Sequence, residues 1–179
     1  MGVASVAKRH PSLVSLSHDH HHGLALALRL RQGDKALLND GWTHDRREQA
    51  KSVEDFYHTE LSHHFIAEEK ALFPSMRRHV PESSHLIDRL VLQHREMEEI
   101  VSHVSVAATH DLATLLVRLG EVLDQHIRTE ERELFPMYEE KISENVARAI
   151  QVEMDRLRGL KGEAQPSSTQ RREPQRGNA

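Results

Sequence analysis

Apolar residues recur along most of the chain at the three- and four-residue spacing of an amphipathic helix, without the sustained alternation of a half-buried strand. The pattern predicts five helices, from about Ser12 to Arg31, Thr43 to Arg78, Pro81 to Ala108, Asp111 to Tyr138 and Ser143 to Leu160. Because four long helices with short connections place neighbours antiparallel, the predicted fold is all-α. We expect an up-down-up-down four-helix bundle with an additional C-terminal helix.

Helix boundaries follow from local signals. Thr43 is the expected N-cap of the second helix, and Asn39-Asp40-Gly41 indicates a turn before it. Pro74 and Pro136 should kink or end the last turns of the second and fourth helices.

The 179 residues suit one domain. Residues 1–11 show no apolar period, and we expect a flexible leader there. Residues 12–160 should form the bundle and the fifth helix. Residues 161–179 are rich in Pro, Gln, Ser and Arg and almost free of apolar side chains, which predicts a disordered tail.

Composition excludes several classes of function. The chain has no cysteine, which rules out disulfides and thiolate-held metals. Its net charge is −4 with both signs interspersed, so we expect no nucleic-acid partner. Apolar stretches fall far short of the roughly 18 residues that span a bilayer, so we expect no membrane partner and a cytoplasmic protein. The unusual feature is 15 histidines, since histidine is the commonest metal ligand.

Two segments, which begin at His64 and His126 and are 62 residues apart, share the pattern H-x3-E-E-x2-L-F-P. Residues i and i+4 lie on one helix face, so His64 and Glu68 converge on one point, as do His126 and Glu130. If the two helices face each other, two imidazoles and two carboxylates surround one buried volume. Divalent cations would offset the cost of burying these carboxylates, and nitrogen and oxygen donors suit iron, manganese or zinc.

Helices 1 and 3 should supply further ligands. His94 lies on an apolar stripe with Met97, and Glu98 lies one turn after it. In the run from His18 to His22, the core direction passes between His20 and His21, so both remain candidates. The full set of candidate metal ligands is His20, His21, His64, Glu68, His94, Glu98, His126 and Glu130.

The duplicated pattern, with a histidine in each of two other helices, resembles the hemerythrin-like HHE cation-binding family from the first histidine cluster to Pro136. The resemblance implies a non-haem di-iron centre inside a four-helix bundle. His64, Glu68, His126 and Glu130 match its two motifs, His94 matches the third-helix histidine, and His20 or His21 the first.

Two departures concern the ligands. Oxygen-carrying hemerythrins have a second histidine where this chain has Glu98. They also place the fourth-helix carboxylate five residues after its histidine, which makes Glu131 the alternative to Glu130. Glu60 could be a further ligand or could orient one, and Glu69 is expected beside the site rather than in it.

These patterns favour a protein that holds two iron ions, with zinc or manganese as alternative cofactors. It would bind a small diatomic or peroxide ligand (O2, NO or peroxide) for sensing, storage or iron and redox homeostasis. Leu24, Leu72, Met97 and Leu134 should form the apolar surroundings. The alternatives are an iron-dependent peroxidase or redox or repair enzyme, which a carboxylate at Glu98 would favour, and a non-catalytic metal buffer. The sequence does not decide whether the protein is an enzyme, and it does not indicate an oligomeric state.

Overall fold

The computed structural model describes residues 9–33 and 42–159, which contain helices and no strand. The expected turn at Asn39-Asp40-Gly41, residues 1–8 of the expected leader and the expected tail lie outside these described residues. The all-α prediction is confirmed, with five helices in the described ranges.

Helix α1 is Val14–Gln32, after a 3-10 turn at Pro11–Leu13. Helix α2 is one continuous rod over 46–79, with α-helical parts at Arg46–Phe56, Ser62–Ala67 and Phe73–His79 and π-helical turns at Tyr57–Leu61 and Glu68–Leu72. Helix α3 is Ser84–Val104, after a 3-10 turn at Pro81–Ser83. Helix α4 covers 109–141, with Thr109–Thr129 and Phe135–Lys141 joined by a π-helical turn at Glu130–Leu134. Helix α5 is Glu144–Leu157.

Helix α4 packs along both α1 and α3, and α2 completes the bundle by contacting α3 and α4. Helix α5 lies against α2 and buries Ala147, Ile150 and Met154. None of the helices in the described part of the chain is both long and apolar enough to cross a membrane.

The N-cap of α2 differs from the prediction. Asp45, not Thr43, precedes the first helical residue, and its carboxylate accepts hydrogen bonds from the backbone N–H groups of Arg47 and Glu48. The Thr43 hydroxyl instead accepts a hydrogen bond from the backbone N–H of Asp45, which orders the approach to the helix. A carboxylate at the N-cap also has a favourable interaction with the helix dipole.

The second and fourth helices continue past Pro74 and Pro136 to His79 and Lys141, close to the predicted ends at Arg78 and Tyr138, so the prolines do not end them. A π-helical turn precedes each proline: the N–H of Phe73 donates to the carbonyl of Glu68, and that of Phe135 to the carbonyl of Glu130. Each proline thus lies in the first turn after a widened turn, where its missing N–H is tolerated. The sequence repeat is therefore also a repeat of backbone geometry.

Two apolar clusters fill the interior of the described bundle. On α4, Leu123 and Ile127 belong to the first cluster and Leu134 to the second. His126 and Glu130 lie between these residues along the helix. The histidines and carboxylates therefore occupy a polar layer between two apolar cores.

Candidate metal centre

Six buried side chains from four helices converge in this polar layer, each 3% exposed or less: His20, His64, Glu68, His94, His126 and Glu130. Within the described residues their donor atoms form two groups, and in each group all atoms lie within 4.8 Å of one another. We call His20, His64, Glu68 and Glu130 the first position, and Glu68, His94 and His126 the second position. The two positions share Glu68.

At the first position, Nε2 of His64 lies 3.0 Å from Oε1 of Glu68. Nε2 of His20 lies 3.1 Å from Oε2 of Glu130 and 3.3 Å from Nε2 of His64. The two imidazoles therefore point the same nitrogen at one point between two carboxylates.

At the second position, Nε2 of His94 lies 3.3 Å from Oε2 of Glu68 and 3.1 Å from Nε2 of His126. Nε2 of His126 lies 3.3 Å from Oε2 of Glu130. Glu68 thus contacts the first position with one oxygen and the second with the other, which is the arrangement that a carboxylate bridging two cations requires.

The other ring nitrogen of each histidine has an acceptor outside the cluster. Nδ1 of His20 lies 2.7 Å from Oε1 of Glu131, and Nδ1 of His64 lies 3.0 Å from Oδ2 of Asp19. Nδ1 of His94 lies 2.8 Å from Oε1 of Glu69. With the Nδ1 proton donated outward to such an acceptor, Nε2 is the ring nitrogen that faces inward and is available to a metal.

The fourth imidazole, His126, has an amide as its acceptor. Its Nδ1 lies 3.3 Å from Oε1 of Gln93, the residue before His94. Asp19, the residue before His20, contacts Nδ1 of His64 in the same way. In both helix pairs, α1–α2 and α3–α4, the residue before the first histidine therefore accepts from the second. The acceptor is a carboxylate in the first pair (Asp19) and an amide in the other (Gln93).

Aromatic rings cover the imidazoles. Phe73 stacks on His94 with ring centroids 5.7 Å apart, and Phe135, its counterpart in the repeat, stacks on His20 at 5.4 Å. Phe65 stacks on the His94 ring at 3.8 Å. These contacts fix the ring planes and keep water away from the donor atoms.

Arginines pair with the outer carboxylates. Arg9 contacts Glu131, and Arg95 contacts Glu69. Arg158, which follows α5, lies 2.6 Å from Oδ2 of Asp19. The outer negative charges are therefore compensated, whereas the inner carboxylates have no guanidinium beside them among the described residues.

Both oxygens of Glu68 and both of Glu130 are buried and have no hydrogen-bond donor aligned on them among the described residues. Burying a carboxylate in this way costs several kcal/mol unless a charge compensates it. The donor set, four imidazole nitrogens and two carboxylates without sulfur, suits a pair of divalent transition metals. The residues present therefore fit a metal centre.

The charges in the cluster also shift its protonation. Burial lowers the pKa of His64, but the charge of Glu68 and the hydrogen bond to Asp19 outweigh burial and raise it to about 10. Burial would raise the pKa of Glu130, yet the His126 and His20 imidazoles hold it well below its ordinary value. In the metal-free protein, protonated imidazoles therefore compensate part of the negative charge of Glu68 and Glu130.

The family comparison agrees with this geometry. The model of the hemerythrin HHE cation-binding domain matches residues 12–138 and, in a second, overlapping match, residues 85–174. The chain belongs to this family. No curated protein and no solved structure matches the chain. This hemerythrin-domain protein is thus a helical member of a cation-binding family, and its buried His and Glu groups could hold the metal.

The hemerythrin-domain site does not include two of the candidates. His21 is exposed, because it lies about 100° further around α1 than the buried His20. Glu98 is 33% exposed, and its Oε2 lies 2.7 Å from Nη1 of Arg95. Neither side chain belongs to the two groups of donor atoms, so the structure does not bring His21 and Glu98 together with the other candidates.

Three further acidic residues lie around the site. Glu60 contacts Nδ1 of the exposed His22 at 2.9 Å and is not part of the cluster. Glu69 and Glu131 contact Nδ1 atoms, so they orient imidazoles. Sequence reasoning missed Gln93 and Arg158 altogether. Gln93 could have been found from its position immediately before His94, which corresponds to that of Asp19 before His20. No local sequence signal pointed to Arg158.

A small cavity of about 10 Å³ adjoins His20, His64 and His126 and has room for about one water molecule. Its apolar lining comes from Gly23, Leu61, Phe65, Leu123 and Ile127. This lining differs from the expected Leu24, Leu72, Met97 and Leu134. Leu61 and Leu123 are equivalent residues of the repeat, one turn before their histidines.

Proposed function

We propose that this hemerythrin-domain protein binds two iron ions in its bundle and takes up a small ligand, O2, NO or peroxide, beside them. The observation that carries the proposal is the pair of buried carboxylates, Glu68 and Glu130, without aligned donors between four inward-facing imidazole nitrogens. When bound, iron would supply Lewis-acidic, redox-active positions for an exogenous ligand.

The chain's own residues have separate tasks in this proposal. Glu68 and Glu130 supply negative charge, and His20, His64, His94 and His126 supply neutral donors. Asp19, Glu69, Glu131 and Gln93 hold the imidazoles in the tautomer that leaves Nε2 free.

The cavity beside the imidazoles limits what can bind. Its surface is largely apolar and it has room for about one water-sized molecule, which favours ligands of a few atoms over larger substrates.

A binding role fits better than the enzymatic alternative. Glu98 as an additional carboxylate ligand would favour redox turnover, but Glu98 pairs with Arg95 instead. Four imidazoles for two carboxylates make a nitrogen-rich set, which suits reversible ligand binding.

The test is to strip the purified protein with a chelator, load it anaerobically with ferrous iron and measure iron per chain. We expect two irons per chain, and charge-transfer absorption bands when azide is added to the oxidised protein. His21→Ala should leave both results unchanged, and His64→Ala should reduce them. Well under one iron per chain in the unaltered protein would refute the proposal, and tight zinc binding without iron binding would assign the site to zinc.

A further inference from the structure

We infer that the two metal positions load in order, with the first position holding its cation more tightly than the second. The inference rests on the proposed function and adds to it an assignment of unequal affinities to named residues. It comes from comparing equivalent contacts in the two halves of the bundle.

The donor atoms are grouped unequally. Four donors, from His20, His64, Glu68 and Glu130, all lie within 4.8 Å of one another, whereas the second group joins His94 and His126 to Glu68 and contacts Glu130 through His126 alone. Oε2 of Glu130 also lies closer to Nε2 of His20 (3.1 Å) than to that of His126 (3.3 Å). Since cation affinity rises with the negative charge of the donors, a single divalent cation should favour the first position.

The acceptors of the Nδ1 atoms also favour tighter binding at the first position. Asp19 and Gln93 occupy equivalent places, but Asp19 offers an anionic oxygen 3.0 Å from Nδ1 of His64, and Gln93 an amide oxygen 3.3 Å from that of His126. A carboxylate acceptor makes the imidazole a stronger donor to metal than an amide does. At the first position both imidazoles have carboxylate acceptors, and at the second His94 has one.

The acceptors of the first position are also held more firmly. Arg158 and Arg9, which hold Asp19 and Glu131, are 14% and 25% exposed. Arg95, which holds Glu69, is 52% exposed. Ion pairs that water reaches less easily restrict their partners more.

The experiment titrates the full-length, metal-free protein with Co²⁺ at pH 8 by calorimetry and by electron paramagnetic resonance. We expect two steps that differ at least tenfold in affinity. One equivalent should give the signal of isolated high-spin Co²⁺, and the second equivalent should weaken it as the two ions couple. Coupled pairs already present below one equivalent, or two equal steps, would overturn the inference.

Two equivalent substitutions assign the steps. His126→Ala should keep one tight site, and His64→Ala should keep only weak binding; the reverse result, or equal losses, would overturn the assignment. Circular dichroism checks that each variant is helical. If either variant fails to fold, Gln93→Glu is used instead. It should raise the affinity of the second binding step and so reduce the difference in affinity between the two steps. An unchanged difference would count against the inference. If the unaltered protein binds no Co²⁺ and no ferrous iron, the proposed function itself fails.

Discussion

Glu69 accepts a hydrogen bond from Nδ1 of His94 at 2.8 Å, across the packing of α2 against α3. The residue before it, Glu68, contacts the other nitrogen of the same ring at 3.3 Å. Glu130 and Glu131 contact the two nitrogens of His20 in the same way. The paired glutamates of the repeat therefore have distinct roles: the first faces the metal positions and the second orients a histidine of another helix.

Replacing the orienting glutamates should weaken metal binding while leaving the donor atoms in place. In Glu69→Gln and Glu131→Gln the acceptor becomes a neutral amide, so the imidazole is a poorer donor and less firmly held. We expect metal affinity to fall about 10- to 100-fold in each variant. Equilibrium titration with Co²⁺ measures the change.

Glu96→Gln is the matched control, because Glu96 is a partly exposed glutamate that pairs with Arg118 and does not reach the cluster. Its affinity should equal that of the unaltered protein. A loss as large as that of Glu69→Gln would mean that the effect comes from surface charge and not from orientation of His94.

Substitution of His20 should reduce the stabilisation of the protein by metal, whereas substitution of the neighbouring His21 should not. A metal that binds only the folded state stabilises it, by about 2.7 kcal/mol at a free concentration 100 times the dissociation constant. Chemical unfolding with and without metal should show this gain in His21→Ala and a much smaller gain in His20→Ala. Equal gains in both variants would contradict the placement of His20 in the site.

The part of the site that could be predicted from sequence lies within single helices. His64 and Glu68 are four residues apart on one rigid rod, so their convergence needs no knowledge of the packing. The choice between His20 and His21 depends on how α1 rotates against α4, where Gly23 faces Ile127, and helical periodicity resolves that rotation only to about one residue. Gln93 and Arg158 act across helices, and contacts of that kind leave no periodic pattern.

The same limit applies to the fold. The five helices follow from apolar periodicity, but the π-helical turns do not, because a single widened turn hardly changes that period. Pro74 and Pro136 suggested a kink or an end in the last turns of these helices; the π-helical turn before each proline lets the helix continue, and the sequence pattern does not show that turn.

Protonation of the metal-free cluster predicts how stability depends on pH. The pKa of His64 in the folded protein, about 10, lies above its unfolded value, so its contribution is fully present below about pH 6.5 and is lost as pH rises through 10. The pKa values of His20 and His94 are also raised: burial lowers them, but their carboxylate neighbours outweigh it. Between pH 7 and 9.5 the free energy of unfolding in chelator should therefore decrease, by at most about 1.4 kcal/mol per pH unit for each such proton.

Urea unfolding at several pH values measures this slope, and His64→Ala should make it shallower. Metal should reverse the trend over the same range, because metal binding displaces these protons and strengthens as they are lost. A metal-free protein whose stability rises steadily from pH 7 to 9.5 would contradict the assignment of protons to the imidazoles.

Gly23 should control how much room the cavity leaves for the small ligand. A Cβ added at Gly23 would lie 2.7 Å from Cδ1 of Ile127, so that methyl must move, and both residues line the cavity. We expect Gly23→Ala to bind two metals normally but to bind azide more weakly, as read from its charge-transfer band. Adding Ile127→Val removes the crowded methyl and should restore azide affinity. If Gly23→Ala leaves azide affinity unchanged, azide does not bind in this cavity.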